Sequence, residues 1–90
     1  NEPLVYPNPV TSDYKGPVAI KGLARDARVK ITDLSGRLVF ETFANGGQAL
    51  WDRKDYLGNE VSSGIYLVFA NTVKDYDKSD GAVTKLIITR

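Results

Sequence analysis

Short runs of alternating apolar and polar residues recur along the chain, and residues typical of turns separate them at intervals of about 8–12 residues. No window shows the period of an amphipathic helix. The pattern predicts seven strands, at residues 4–6, 17–22, 28–33, 37–43, 48–52, 65–70 and 83–90. We therefore expect an all-β fold, a seven-stranded antiparallel immunoglobulin-like β-sandwich that forms one domain over residues 1–90. A small closed barrel is the alternative.

The third and fourth strands show the clearest local pattern. Val29 and Ile31 alternate with polar residues and are predicted to point inward. A turn at residues 33–36 follows, because aspartate can bond the backbone two residues on and glycine accepts a positive φ. The chain then returns as a hairpin partner, and Leu38 and Phe40 are predicted to face the core.

Residues 65–70 form the most apolar run of the chain and are predicted to be a strand at the centre of a sheet, covered on both faces. The only tryptophan, Trp51, lies in a strand opposite this run and is interpreted as a core residue rather than a platform for stacking a sugar or ligand. The predicted core consists of Trp51, Tyr66, Val68, Val29, Ile31, Leu38 and Phe40.

The composition argues against several classes of function. Twelve basic and eleven acidic residues leave a net charge of +1, which is too balanced for binding driven by nucleic-acid phosphates. The chain has no cysteine and no histidine, so it has no disulfide and no thiolate or imidazole chemistry. No apolar run reaches the roughly 20 residues of a transmembrane helix. Since the chain lacks an initial methionine and Asn1-Glu2-Pro3 leads straight into a strand, we expect a domain cut from a larger protein.

Enzymatic activity is not predicted. A nucleophile needs a base to activate it, and without histidine or cysteine the usual pairs cannot be built. Ser62, Ser63 and Ser79 lie among lysines in the sequence, but lysine acts as a base only when burial lowers its pKa. Since nothing in the pattern indicates a buried lysine, we expect a domain that is not an enzyme.

Two groups of closely spaced aspartates have the composition of calcium ligands: Asp52 with Asp55, and Asp75 with Asp77 and Asp80. In the second group Gly81 falls one position too late for an EF-hand loop, and Leu86 occupies the place where a bidentate glutamate is required. A solvated acidic loop is the better interpretation. The sequence therefore predicts no metal site and no cofactor.

Basic residues mark the outer side of the third strand. Arg28 and Lys30 lie there, and Lys21 of the second strand is a further candidate member of the same surface. Such a surface either binds an anionic partner or supplies solubilising charge on the face of a sheet. The sequence alone leaves both interpretations open.

Four stretches of the chain, in this order, resemble the C-terminal domains of type IX secretion cargo in Bacteroidetes. They are residues 5–10 (Val-Tyr-Pro-Asn-Pro-Val), 29–39, 63–68 and 85–88. The resemblance implies an immunoglobulin-like sandwich at the end of an exported protein, which passes through the periplasm in transit and then reaches the outer-membrane surface. It also implies that the domain is a sorting signal read by the outer-membrane type IX secretion machinery.

Residues 46–52 and 58–70 are more similar to one branch of this family, the PorZ-type β-propeller proteins. The resemblance to this branch implies a domain retained on the mature protein, a surface attachment complex with a sortase-like protease, and contact of the parent protein with anionic lipopolysaccharide. The segment around Trp51-Asp52 also resembles the immunoglobulin-like domain of flagellar hook-capping proteins. That alternative implies a structural spacer or scaffold.

The last strand, residues 83–90, is the expected recognition element. Its candidate residues are Lys85, Leu86, Ile87, Ile88 and Arg90. No linear peptide tag is visible, so the signal must be a folded surface. A strand at the end of the chain is expected to offer free edge groups to which a receptor strand can add, with Lys85 and Arg90 at exposed positions.

Overall fold

The computed structural model describes residues 3–71 and 82–90. Its strands are β1 (Leu4–Tyr6), β2 (Val18–Lys21), β3 (Arg28–Asp33), β4 (Leu38–Phe43), β5 (Ala49–Trp51), β6 (Gly64–Asn71) and β7 (Ala82–Ile88). They form two antiparallel sheets, one in the order β1-β2-β5 and the other in the order β4-β3-β6-β7. The two sheets enclose one apolar core, so the predicted all-β sandwich of seven strands is confirmed.

Strand β6 lies at the centre of the four-stranded sheet, as predicted, and pairs with β3 on one side and with β7 on the other. Its inward side chains, Tyr66 and Val68, are buried between the sheets. Its outward side chains, Ile65, Leu67 and Phe69, are only half-buried. The expectation that both faces of this strand are covered is therefore wrong for the described part of the chain, since the second sheet covers the inner face alone.

The core is built around Trp51, whose side chain is fully buried. Its ring lies 6.5 Å from the ring of Phe40 in a stacked arrangement and 6.0 Å from the ring of Tyr66 in an edge-on arrangement. These contacts join β5 of one sheet to β4 and β6 of the other. Val29, Ile31 and Val68 lie in the same buried cluster, and Phe40 packs against it from a half-buried position.

Both polar atoms that this aromatic group brings into the core have partners. The indole nitrogen of Trp51 donates a hydrogen bond to the carbonyl of Lys54 at 2.8 Å. The hydroxyl of Tyr66 donates to the carbonyl of Ser62 at 2.6 Å, close to the start of β6. A tyrosine hydroxyl bonded to backbone a few residues upstream is a feature of immunoglobulin-like sandwiches. Burial of these rings therefore leaves no unpaired donor.

Leu38 was predicted to face the core, and this is wrong: its side chain is 40% exposed, whereas Val39 beside it is buried. The reason is a β-bulge between β3 and β4. Ile31 lies opposite Phe40 but Thr32 lies opposite Leu38, so β4 has one extra residue at this point. The bulge interrupts the alternation from which the side of Leu38 was predicted.

After β1, the chain leaves the three-stranded sheet and runs along the free side of β7. The amide of Val10 donates to the carbonyl of Ile87 at 2.8 Å, and the amide of Thr89 donates to the carbonyl of Val10 at 2.8 Å. The peptide bonds before Pro7 and Pro9 are cis. Strand β1 itself lies at the edge of its sheet, a position that tolerates the prolines that follow it, because a proline has no backbone N–H to donate.

We expect Trp51→Ala to lower the free energy of unfolding by about 3–5 kcal/mol, because it empties a large buried site between the sheets. Leu50→Ala is the matched control, since Leu50 lies on the same strand but is 57% exposed. The control should change stability by no more than about 0.5 kcal/mol. Urea unfolding followed by circular dichroism measures both. Equal losses for the two variants would contradict the central role of the indole.

Candidate recognition surface at the last strand

The candidate recognition residues of the last strand do not share one surface. Strand β7 lies at the edge of the four-stranded sheet. Leu86 and Ile88 point inward and are 0% and 2% exposed, so they belong to the core. Lys85 and Ile87 point outward and are exposed. Arg90 follows the strand, and its side chain turns back onto another part of the domain.

The free edge expected for β7 is closed between residues 85 and 89. The side-chain amide of Asn8 donates to the carbonyl of Lys85 at 2.7 Å and accepts from the amide of Ile87 at 3.1 Å. Asn8 thus supplies one donor and one acceptor, as a neighbouring strand does, and Val10 continues the pairing. Because a paired edge cannot accept a further strand, strand addition is not available here, and the expectation of free edge groups is wrong for this segment.

Arg90 is held by three hydrogen bonds within the domain. Its amide donates to the Ser63 hydroxyl at 2.9 Å, and its guanidinium donates to the Val61 carbonyl and the Glu60 carboxylate, both at 2.5 Å. The hydrogen bond from the guanidinium, followed by its charge, lowers the pKa of Glu60. Arg90 therefore ties the end of β7 to the connection between β5 and β6 and is not a free surface charge.

Arg28, Lys30 and Lys21 do not lie on one common surface, which was one possibility that the sequence left open. Arg28 is paired with Glu41 on the neighbouring strand. Lys30 lies on the same outer face, but Lys21 is on the other sheet, where its ammonium group lies 5.5 Å from the centre of the Tyr6 ring. The positive charge on the outer face of the four-stranded sheet in the described residues thus comes chiefly from Lys30 and Lys85.

An aspartate organises the turn between β3 and β4. One carboxylate oxygen of Asp33 accepts from the amide and hydroxyl of Ser35 at 3.0 and 2.7 Å, and from the amide of Arg37 at 3.0 Å. These bonds, the one from the Ser35 hydroxyl first, lower the pKa of Asp33. The predicted turn is therefore confirmed, and its aspartate is engaged with the backbone.

Asp52 and Asp55 are likewise engaged in local turns. Asp52 accepts from the amide of Lys54 at 3.2 Å, and Asp55 accepts from the amides of Leu57 and Asn59, both at 2.9 Å. Their close spacing thus has a structural explanation. In residues 3–71 and 82–90, no group of three or more acidic residues is placed to hold a metal ion. Asp75, Asp77 and Asp80 lie outside the described residues, so the absence of a metal site stays a prediction.

A cleft of about 460 Å³ lies between the two aspartate turns, and Ser62 is among its lining residues. No lysine lines this cleft, and no lysine in the described part of the chain is buried. The hydroxyl of Ser63 is bonded to the amide of Arg90. Ser79 lies outside the described residues. The described geometry therefore offers no activated serine, although the lack of enzymatic activity stays a prediction.

The sequence model of the secretion system C-terminal sorting domain family matches residues 4–89. The chain belongs to this family. Among solved structures, it is similar to PorZ, described as an essential bacterial surface component of the type IX secretion system of Porphyromonas gingivalis, with 32% identity, a TM-score of 0.83 and coverage of 98% of this chain. The chain spans 11% of the length of that PorZ chain. No curated protein matches the chain significantly.

These comparisons confirm the resemblance to type IX secretion sorting domains and the likeness to PorZ. Membership of this family implies export to the cell surface and interaction with the secretion machinery. Within the described residues, no helix has the length and apolar character needed to cross a bilayer.

We expect Asn8→Ala to open the edge of β7, because it removes both bonds of the side-chain amide. The free energy of unfolding should fall by about 1–2 kcal/mol, and the Ile87 amide should exchange its hydrogen faster with solvent. Asn45→Ala is the matched control, since Asn45 is an exposed asparagine in the connection between β4 and β5. Exchange at Ile87 that is equally slow in both variants would contradict closure by Asn8.

Arg90→Ala should raise the pKa of Glu60 towards its ordinary value, because the charged carboxylate loses its main hydrogen bond and the neighbouring positive charge. Nuclear magnetic resonance titration of the Glu60 carboxyl group measures this change. Arg25→Ala, at an exposed arginine of the connection between β2 and β3, serves as the control. An unchanged Glu60 titration in Arg90→Ala would show that the pair does not form in solution.

Proposed function

We propose that this domain is a non-catalytic module of a larger exported protein that acts as a type IX secretion signal and as a surface-assembly domain. The observation that carries the proposal is the family match over nearly the whole chain, residues 4–89. The surface-assembly part is supported by the likeness to PorZ, which is itself described as a surface component of the secretion system. Asp55 and Ser63, which resembled metal-binding and catalytic residues in the sequence, accept hydrogen bonds from backbone amides within the domain.

The proposed address is a folded surface that includes the last strand. The inward residues Leu86 and Ile88 are needed for folding, and Arg90 anchors the end of the strand. Lys85 and Ile87 present their side chains to a partner. The partners are the outer-membrane type IX secretion machinery and the surface attachment complex. The proposed route passes through the periplasm and ends at the outer-membrane surface.

Lipopolysaccharide binding is not part of this proposal for the domain. Lys21 lies on one sheet and Lys30 on the other, and Arg28 and Arg90 are paired with glutamates. An anionic surface polymer favours a concentrated basic patch. The expected contact of the parent protein with anionic lipopolysaccharide therefore finds no support in the described part of this domain.

The proposal predicts that fusing residues 1–90 to the end of an unrelated exported reporter sends the reporter to the cell surface. The host is a bacterium with a type IX secretion system, and the reporter carries its own signal for the inner membrane. Labelling of intact cells with an antibody to the reporter measures surface display. The same reporter without the domain should remain in the periplasm.

Retention of the fusion in the periplasm would contradict the secretion signal. It would favour the alternative, a spacer or scaffold like the immunoglobulin-like domain of flagellar hook-capping proteins. Trp51→Ala in the fusion supplies a further control, because it tests whether display depends on the folded sandwich. Surface display by a fusion unfolded in this way would indicate a linear signal and contradict a folded address.

A further inference from the structure

The outward side chains of β6 and β7 form an apolar surface on the outside of the four-stranded sheet. Ile65 lies opposite Ile87, and Phe69 lies opposite Val83, with Leu67 between them on β6. Opposed residues of neighbouring strands are in side-chain contact. Val83 and Ile87 are 41% and 37% exposed. We call these residues the β6–β7 face.

An apolar outer face is unusual for an antiparallel sandwich, in which one face of each sheet packs on the core and the other is solvated by polar residues. Single exposed apolar residues are common, but a contiguous group marks an interaction surface. The β6–β7 face has its five apolar side chains on two adjacent paired strands. It is therefore the kind of surface that a protein partner covers.

The inward face and part of the outer edge of β7 already make contacts within the domain. The inward side chains of Leu86 and Ile88 fill the core. The edge from residue 85 to residue 89 is paired with Asn8 and Val10. A partner that recognises this part of β7 in the folded domain must therefore contact its outward side chains.

Lysines flank the apolar side chains. Lys85 lies opposite Leu67, and Lys30 lies opposite Phe69 on the other side of β6. Glu41, which lies opposite Lys30 on β4, is bound by Arg28. Among the described residues that flank this face, the remaining charge is therefore positive. Its complement is an apolar surface that carries carboxylates.

We infer that the outer-membrane secretion machinery docks on the β6–β7 face, and that the docking protein presents an apolar surface with acidic side chains next to Lys30 and Lys85. This inference rests on the proposed sorting function. Docking occurs face-on to the sheet, through side chains, and leaves the closed edge of β7 intact. The apolar contact supplies affinity, and the lysines set the orientation of the partner.

Charge reversal in the reporter fusion tests the inference. Lys30→Glu with Lys85→Glu should reduce surface display at least tenfold. The matched control is Lys15→Glu with Lys21→Glu, which makes the same charge change at exposed positions outside the face and should display the reporter at the unsubstituted level. Lys30→Arg with Lys85→Arg should also retain display, because the charge is kept. Loss of display in the arginine variant would contradict the inference that the docking protein carries acidic side chains at this place.

Apolar substitutions test the face without altering its charge. Val83→Thr with Ile87→Thr keeps β-branched residues in the strand but removes apolar surface, and it should reduce display at least fivefold while circular dichroism shows that the domain stays folded. Leu50→Thr, on the outer face of the other sheet, is the control and should retain display. The variant Val83→Thr with Ile87→Thr still tests the inference if the charge-reversed domain fails to fold.

The outcomes separate the two proposals. Full display by folded variants of the β6–β7 face would overturn the inference and leave the sorting function standing. Failure of the unsubstituted fusion to reach the surface would overturn the sorting function, and the inference with it. Equal loss of display in the face variants and in their matched controls would also overturn the inference, because the effect would not be specific to this face.

Discussion

The packing of Trp51 between the two sheets is the contact on which the rest of the structure depends. The strands of its own sheet contain only three, four and three residues, too few for a long hydrogen-bonded ladder to hold them. The indole gives this sheet a large buried contact with Phe40 and Tyr66 of the other sheet. Because its nitrogen is bonded to the Lys54 carbonyl, the burial has no unpaired polar group to offset it.

Closure of the β7 edge follows from the same sandwich, since the chain crosses from one sheet to the other directly after β1. The crossing segment places the Asn8 amide where a backbone neighbour of β7 would lie. Exposed edges invite pairing with other chains, which is an aggregation hazard. Closing the edge with a side chain protects the strand and still leaves its outward residues accessible.

Strand β6 serves both the fold and the proposed function because its side chains alternate between two environments. Tyr66 and Val68 complete the core, whereas Leu67 and Phe69 lie on the outside of the sheet. A fully apolar central strand would normally indicate two covering layers. In this domain the second layer is lacking over the described residues, and the apolar outer side is the strongest sign that a partner provides it.

The positions of the seven strands along the chain were accessible from the sequence, because side-chain alternation and turn residues are local properties. The alternation around Val29 and Ile31 predicted that both side chains are buried, and the strand that contains Trp51 predicted that its ring lies in the core. Only the tertiary structure decided the positions of Leu38, Asn8 and Arg90. The outward orientation of Leu38 depends on a β-bulge, which the alternation of residues cannot reveal. The side chains of Asn8 and Arg90 form hydrogen bonds with residues that are 77 and 30 positions away in the sequence. Such contacts form only when the sheets have packed together, so they cannot be predicted from local patterns in the sequence.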